Sequence, residues 1–86
     1  MSGHQGVIVS VCFSPDSTRV VTGSSDKLAM IWDAKTGTKI GDSLKGHSDV
    51  ILSVCYSPDG TQIITGSADS LAMIWDSKII GKIGKI

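Results

Sequence analysis

Short apolar stretches alternate with turn-forming residues along the first half of the chain. Ile8–Phe13 has Ser10 as its only polar member, and its length suits a buried strand. Ser14–Ser17 predicts a turn, because a proline at the second turn position presets φ. Further strands are predicted at Arg19–Thr22, Leu28–Trp32 and Lys39–Leu44. Because no segment has a helical period, the pattern indicates an all-β protein.

The chain is one unit repeated twice, with a constant offset of 43 residues. Between residues 3–33 and 46–76, 21 of 31 positions are identical. The repeated motifs are Gly-His, Ser-Pro-Asp, Thr-Gly-Ser and Leu-Ala-Met-Ile-Trp-Asp, always in the same order. The chain is therefore a tandem duplication of a unit with four predicted strands.

The two copies differ at the end of the Ser-Pro-Asp turn, where Ser17 corresponds to Gly60. Glycine adopts a left-handed backbone conformation easily, because it has no Cβ atom. If φ is positive at this position, we expect Ser17 to cost about 1 kcal/mol relative to glycine.

Composition and charge exclude several classes of protein. The 86 residues include eight Lys or Arg and eight Asp, with no Glu and no Asn. A neutral chain lacks the clustered basic residues of a nucleic-acid binder. The longest apolar run, Leu28–Trp32, is too short to span a bilayer, and no secretory signal is visible. We expect a cytoplasmic protein with no nucleic-acid or membrane partner, although a nuclear assembly fits the same features.

The two cysteines and two histidines do not predict a metal site. Cys12 follows His4 by eight residues, and Cys55 follows His47 by the same interval. This spacing differs from the close ligand pairs of structural zinc sites, and two cysteines are few for a disulfide scaffold. We expect buried, reduced cysteines and no metal or cofactor; a Cys-His nucleophile pair is the less favoured alternative.

The Gly-His opening, the Ser-Pro-Asp turn, the Gly-Ser-x-Asp turn and the closing Trp-Asp of each unit resemble the WD-repeat β-propeller family. The resemblance covers residues 3 to about 84. In that family each unit supplies a four-stranded blade of a ring. The resemblance therefore implies two four-stranded antiparallel β-propeller blades, an incomplete propeller. The blades are expected at residues 3–45 and 46–86, the second with a degenerate outer strand in its basic, apolar tail.

Each unit contains a histidine, a serine, an aspartate and a tryptophan at matching positions. The two sets are His4, Ser24, Asp26 and Trp32, and His47, Ser67, Asp69 and Trp75. These residue types are also the ingredients of Ser-His-Asp catalysis, so a hydrolase is the alternative interpretation. A structural device must recur in every repeat, whereas an active site need not, and we therefore expect no enzyme.

The resemblance implies that each set forms a hydrogen-bonded chain that locks its blade. The aspartate accepts from the imidazole, the imidazole meets a hydroxyl, and the hydroxyl meets the indole N–H, which needs a partner when buried. Thr22 has the same strand parity as Ser24, and Thr65 the same as Ser67. Either hydroxyl in each unit therefore fits the chain.

WD-repeat propellers mostly act as rigid platforms for proteins or peptides. The resemblance places the candidate partner-binding positions near the start of the inner strand and just before the turn aspartate. These positions are Val7, Val9, Ser25, Val50, Leu52 and Ala68. Apolar residues at Val9 and Leu52 suit a hydrophobic contact surface, with packing against neighbouring blades as the alternative. The predicted function is a protein–protein interaction scaffold whose partner is not encoded in any motif.

Two blades do not close a ring, and each end of the pair is expected to expose an apolar face. Three explanations stay open at this point. The chain is a segment of a longer array, it self-associates through its blade faces, or it completes its fold on another protein. A truncated product with no independent function is a further alternative.

Overall fold

The computed structural model describes residues 3–78 and 80–85, and every regular element within them is a strand. The strands are β1 (Ile8–Phe13), β2 (Arg19–Ser24), β3 (Ala29–Asp33), β4 (Lys39–Leu44), β5 (Ile51–Tyr56), β6 (Gln62–Ser67), β7 (Ala72–Asp76) and β8 (Gly81–Lys85). The strands of the first unit begin and end within two residues of their predicted bounds. Within these described residues there is no helix that could cross a bilayer.

The strands form two sheets that repeat the duplication of the sequence. The first sheet has the order β1-β2-β3-β4 and the second has the order β5-β6-β7-β8. All neighbouring strands are antiparallel, as short turns between consecutive strands require. The predicted all-β class and its two four-stranded antiparallel blades are therefore confirmed.

The core lies where the two sheets pack against each other. Val21 and Ile31 of the first sheet and Ile51 of the second are fully buried there. A Cβ atom at Gly23 would lie 2.5 Å from Ile51 Cγ2 and 2.9 Å from Val54 Cγ1. Because Gly23 has no side chain, β5 approaches the first sheet more closely than any other residue type would permit.

The outer strands of the two sheets have the same register at the tryptophan, where Trp32 pairs with Lys39 and Trp75 with Lys82, and differ at the next pair. Ile31 pairs with Ile40 in the first sheet, whereas the equivalent Ile74 pairs with Gly84 in the second. This shift leaves Ile83 out of the pairing and largely exposed. The tail that was expected to be degenerate contains a paired strand, β8, with a register shift between Ile74 and Trp75.

The two cysteines are free thiols, but they are less buried than expected. Cys12 is partly buried and Cys55 is exposed, so the prediction of buried cysteines is wrong. Cys55 pairs with Ile64 across β5 and β6, and both side chains are exposed. Desolvation and the neighbouring Cys12 raise the pKa of the Cys55 thiol.

Candidate functional site

A chain of four side chains runs through the first sheet. Trp32 Nε1 donates to Thr22 Oγ1 at 2.8 Å, and His4 Nε2 lies 2.6 Å from the same oxygen. His4 Nδ1 lies 2.9 Å from Asp26 Oδ2. Since a carboxylate only accepts, Nδ1 carries a proton, and in the neutral imidazole Nε2 then accepts the hydroxyl proton of Thr22. The indole, hydroxyl, imidazole and carboxylate therefore form one continuous hydrogen-bonded series.

The second sheet contains the same series with nearly the same dimensions. Trp75 Nε1 donates to Thr65 Oγ1 at 2.9 Å, and His47 Nε2 lies 2.7 Å from that oxygen. His47 Nδ1 lies 2.9 Å from Asp69 Oδ2. The repetition of the geometry in both sheets matches a structural role, because each sheet needs its own lock.

Threonine, not serine, supplies the hydroxyl in both series, which corrects the expected sets. Ser24 Oγ accepts the N–H of Asp26 at 3.2 Å, and Ser67 Oγ accepts the N–H of Asp69 at 3.2 Å. These serines lie at the ends of β2 and β6, beside the turns. They therefore stabilise the turn that carries the aspartate and do not reach the tryptophan.

Each aspartate also organises the backbone around its turn. Asp69 Oδ2 accepts the N–H of Ser48 at 3.0 Å, and its Oδ1 accepts the N–H of Leu71 at 2.9 Å. Desolvation opposes ionisation of Asp69, but the hydrogen bonds from His47, Ser48 and Leu71 outweigh it and lower the pKa to about 2. The pKa of Asp26 is lowered for the same reasons, with desolvation again opposing. Both turns are therefore held by ionised carboxylates at neutral pH.

The order of aspartate, histidine and hydroxyl matches that of a hydrolytic triad, but the hydroxyl is inaccessible. Thr22 is 1% exposed and Thr65 is 0% exposed. The same oxygen already accepts the indole N–H, and no substrate carbonyl can approach it without opening the sheet. No cluster of three or more His, Cys, Asp or Glu residues suited to a metal ion occurs in the described part of the chain.

The six candidate partner-binding residues lie at one end of the sheets, which we call the rim: Val7, Val9, Ser25, Val50, Leu52 and Ala68. Four of them, Val7, Val9, Leu52 and Ala68, are exposed, and the other two are half-buried. Val9 and Leu52 occupy the register shifts at the start of β1 and β5, two strands that contact each other.

Hydrogen bonds join four of the rim residues in two pairs. Ser25 N donates to Val7 O at 2.9 Å, and Val7 N donates to Ser25 Oγ at 2.8 Å. In the second sheet, Ala68 N donates to Val50 O at 3.0 Å. The rim is thus built from backbone segments that are fixed to the aspartate turns.

A cleft of about 500 Å³ lies between the sheets beside the two Ser-Pro-Asp turns. It is lined in part by Arg19, Tyr56 and Ser77. Arg19 Nη1 donates across the interface to Ser77 O at 3.5 Å. The buried Tyr56 hydroxyl has no hydrogen-bond partner among the described residues, and burial raises its pKa although Arg19 opposes this.

The family model described as "WD domain, G-beta repeat" matches residues 1–33 and 38–76. The chain belongs to the WD-repeat family. Its two matched segments contain the complete hydrogen-bonded series of both sheets. Members of this family are generally scaffolds without enzymatic activity.

Similar curated proteins have varied names. The chain is 49% identical over 37 residues to "Pre-mRNA-splicing factor PRP46" of Yarrowia lipolytica. This match covers 43% of this chain and 8% of that protein. It is 40% identical over 40 residues to "Protein Mut11" of Chlamydomonas reinhardtii, covering 46% of this chain and 11% of that protein. A third relative is "Protein HIR1" of Candida albicans, 46% identical over 43 residues, covering 50% of this chain and 5% of that protein. These matches therefore span about a tenth or less of the relatives' lengths.

The sequence predicted a buried strand at Ile8–Phe13, but Val11 and Phe13 are exposed, as is Ile64 of β6. All three contribute to the apolar faces that were expected at the two ends of the pair. The offset of 43 residues was the signal that could have identified them, because it pairs each of them with a buried residue of the other unit.

Proposed function

We propose that this protein is a protein–protein interaction scaffold that binds a protein or peptide partner through its rim. The observation that carries this proposal is the pair Val9 and Leu52, two exposed apolar residues on contacting strands. Each side chain projects from a register shift in a sheet that is locked by a buried polar series. A rigid apolar surface binds a partner with little loss of conformational entropy.

A non-enzymatic role is supported by the burial of the two hydroxyls that histidine contacts among the described residues. Thr22 and Thr65 each bond to an indole and an imidazole that are themselves enclosed. A nucleophile must reach its substrate, and these oxygens have no open side. The protein therefore holds its partner without transforming it.

The partner proposed for the rim is a peptide segment with apolar side chains. The rim residues of the two sheets are apolar or small, and none is charged. Among the relatives, "Eukaryotic translation initiation factor 3 subunit I" is named as a subunit, and its match covers 42% of this chain. We propose that this protein likewise works as one component of a larger assembly. A cytoplasmic location stays a prediction, to be checked by imaging of a fluorescently tagged chain.

Selection from a displayed library of random peptides tests the proposal. Peptides that bind the wild-type protein are expected to lose at least tenfold in affinity for Leu52→Lys and for Val9→Lys. Ile83→Lys is the matched control, because Ile83 is an exposed apolar residue of β8 outside the rim. Peptides that bind Val9→Lys and Leu52→Lys as tightly as wild type would contradict the assignment, as would the absence of any binder.

A further inference from the structure

The interface between the two sheets is formed by one face of each sheet. Counterparts of both faces lie exposed on the outer sides of the two sheets. The front face, on the first sheet, carries Ile8, Val11 and Phe13. The back face, on the second sheet, carries Ile64, Gly66 and Ile74.

The front face repeats the residues with which the second sheet contacts the first. Ile8 corresponds to Ile51, Val11 to Val54 and Phe13 to Tyr56 through the offset of 43 residues. Val54 is 5% exposed inside the interface, whereas Val11 is 61% exposed on the front face. The same side chain therefore lies in a core in one unit and in solvent in the other.

The back face repeats the surface that receives those residues. Val21 is 0% exposed inside the interface, and its counterpart Ile64 is 41% exposed. A Cβ atom at Gly23 would lie 2.5 Å from Ile51 Cγ2, but a Cβ atom at Gly66 would meet no atom within 4 Å. Gly66 thus leaves the same space open that Ile51 and Val54 fill over Gly23.

We propose that the front face of one copy of this chain docks on the back face of a second copy, with Ile8 and Val11 packed over Gly66. The internal interface is the template, because it joins the counterparts of these residues. Each copy carries one face of each kind, so the contact is head-to-tail and leaves one face free at either end. This proposal does not depend on the rim.

One polar contact of the template is also preserved. Val54 N donates to Ser10 Oγ across the internal interface at 3.4 Å. The counterparts are Val11 on the front face and Ser53 on the back face, and Ser53 is exposed. In the docked pair, Val11 N of one copy meets Ser53 Oγ of the second.

The substitutions between the units favour docking at the outer faces. Arg19, which donates across the internal interface, is replaced by the neutral Gln62 on the back face. Tyr56, whose buried hydroxyl has no partner, is replaced by Phe13 on the front face. Docking of a second copy therefore buries neither a guanidinium nor an orphaned hydroxyl at these positions.

Head-to-tail contacts either close into a ring or continue as a filament. Because each copy supplies two sheets, a ring of three copies has six blades and a ring of four has eight. Light scattering after size exclusion is expected to give wild-type protein at three or four times the chain mass of 9.0 kDa.

Variants of single faces test the contact directly. Gly66→Val blocks the back face, and Val11→Lys places a charge on the front face. Both positions are open in the isolated chain, so a native circular dichroism spectrum is expected for each variant. Each single variant is expected to elute at 9.0 kDa.

The controls are chosen from equivalent but uninvolved positions. Gly81→Thr introduces the residue that the first unit has at the equivalent position, Thr38. A Cβ atom at Gly81 would meet no atom within 4 Å. Val9→Lys changes a rim residue whose counterpart, Leu52, stays exposed beside the internal interface. Both controls are expected to associate as wild type does, and Val9→Lys is expected to lose only peptide binding.

An equimolar mixture of Gly66→Val and Val11→Lys decides between head-to-tail docking and other associations. Each variant keeps one working face, so the mixture is expected to form a 1:1 complex of twice 9.0 kDa that cannot extend further. A mixture that stays monomeric overturns the proposal. So does wild-type protein that is monomeric at a protein concentration of about 50 μM, which is about 50 times a Kd of 1 μM.

Discussion

Trp75 Nε1 and Thr65 Oγ1 are 2.9 Å apart, and the same oxygen lies 2.7 Å from His47 Nε2. One hydroxyl therefore satisfies a buried donor and a buried acceptor at once. This arrangement lies between β6, β7 and the segment before β5, so it joins three parts of the second sheet. The equivalent Thr22 does the same in the first sheet.

Removal of this hydroxyl is expected to destabilise the protein strongly. Thr65→Val leaves the Trp75 N–H and the His47 Nε2 without partners in the core, which costs about 2 to 4 kcal/mol in the free energy of unfolding. Thr65→Ser keeps the hydroxyl and loses one methyl group, at a cost of about 1 kcal/mol. Urea unfolding followed by tryptophan fluorescence measures both, and an equal loss for the two variants would contradict the assigned role.

The pattern of apolar runs and turns predicted the strands, and the resemblance to WD repeats implied the polar series. The sequence did not distinguish Thr65 from Ser67, since the two residues alternate onto the same face of β6. That choice depends on which hydroxyl lies near the tryptophan of the neighbouring strand, and only the register of β6 with β7 gives it. The exposure of Cys55 was missed for a related reason: a strand pattern identifies two faces without telling which face has a neighbour.

The stability of the protein is expected to fall in acid. Hydrogen bonds from Thr61 and Ser57 lower the pKa of Asp59 to about 2, and those from His47, Ser48 and Leu71 lower the pKa of Asp69 to about 2 against desolvation. The ordinary aspartate pKa of 3.8 represents the unfolded chain. Because the folded pKa is lower, the stabilisation is present above about pH 4 and is lost as the pH falls toward 2.

The contribution of Asp69 to this pH dependence can be isolated. Asp69→Asn removes the titrating group, so the free energy of unfolding of the variant is expected to change less between pH 4 and pH 2 than that of wild type. Urea unfolding at a series of pH values gives the two curves. Parallel curves for wild type and variant would rule out a lowered pKa at this turn.

The two Ser-Pro-Asp turns offer a reciprocal exchange. Ser17 has φ of 62°, and its counterpart Gly60 has φ of 75°. Left-handed backbone strains a residue with a Cβ atom, so Ser17→Gly is expected to stabilise the protein by about 0.5 to 1 kcal/mol. Gly60→Ser is expected to destabilise it by a similar amount through the same backbone strain. No steric clash adds to this cost, because a Cβ atom at Gly60 would lie 3.4 Å from Pro15 Cδ, an ordinary contact distance. Thermal unfolding of both variants checks the opposite signs.

The close approach of the sheets at Gly23 gives the last prediction. A methyl group at this position would lie 2.5 Å from Ile51 Cγ2 and 2.9 Å from Val54 Cγ1, so β5 must move outward or Ile51 must leave its rotamer. Gly23→Ala is therefore expected to lower the free energy of unfolding by about 1 to 3 kcal/mol, although alanine suits a strand better than glycine. Gly81→Ala is the control, because its Cβ atom would meet no atom within 4 Å and only the gain in backbone entropy applies. Since the two substitutions share the same backbone term, the difference between them in urea unfolding measures the packing of the two sheets alone. Equal stabilities for Gly23→Ala and Gly81→Ala would mean that the sheets do not pack together at Gly23. The internal interface could then not serve as the template for docking a second copy.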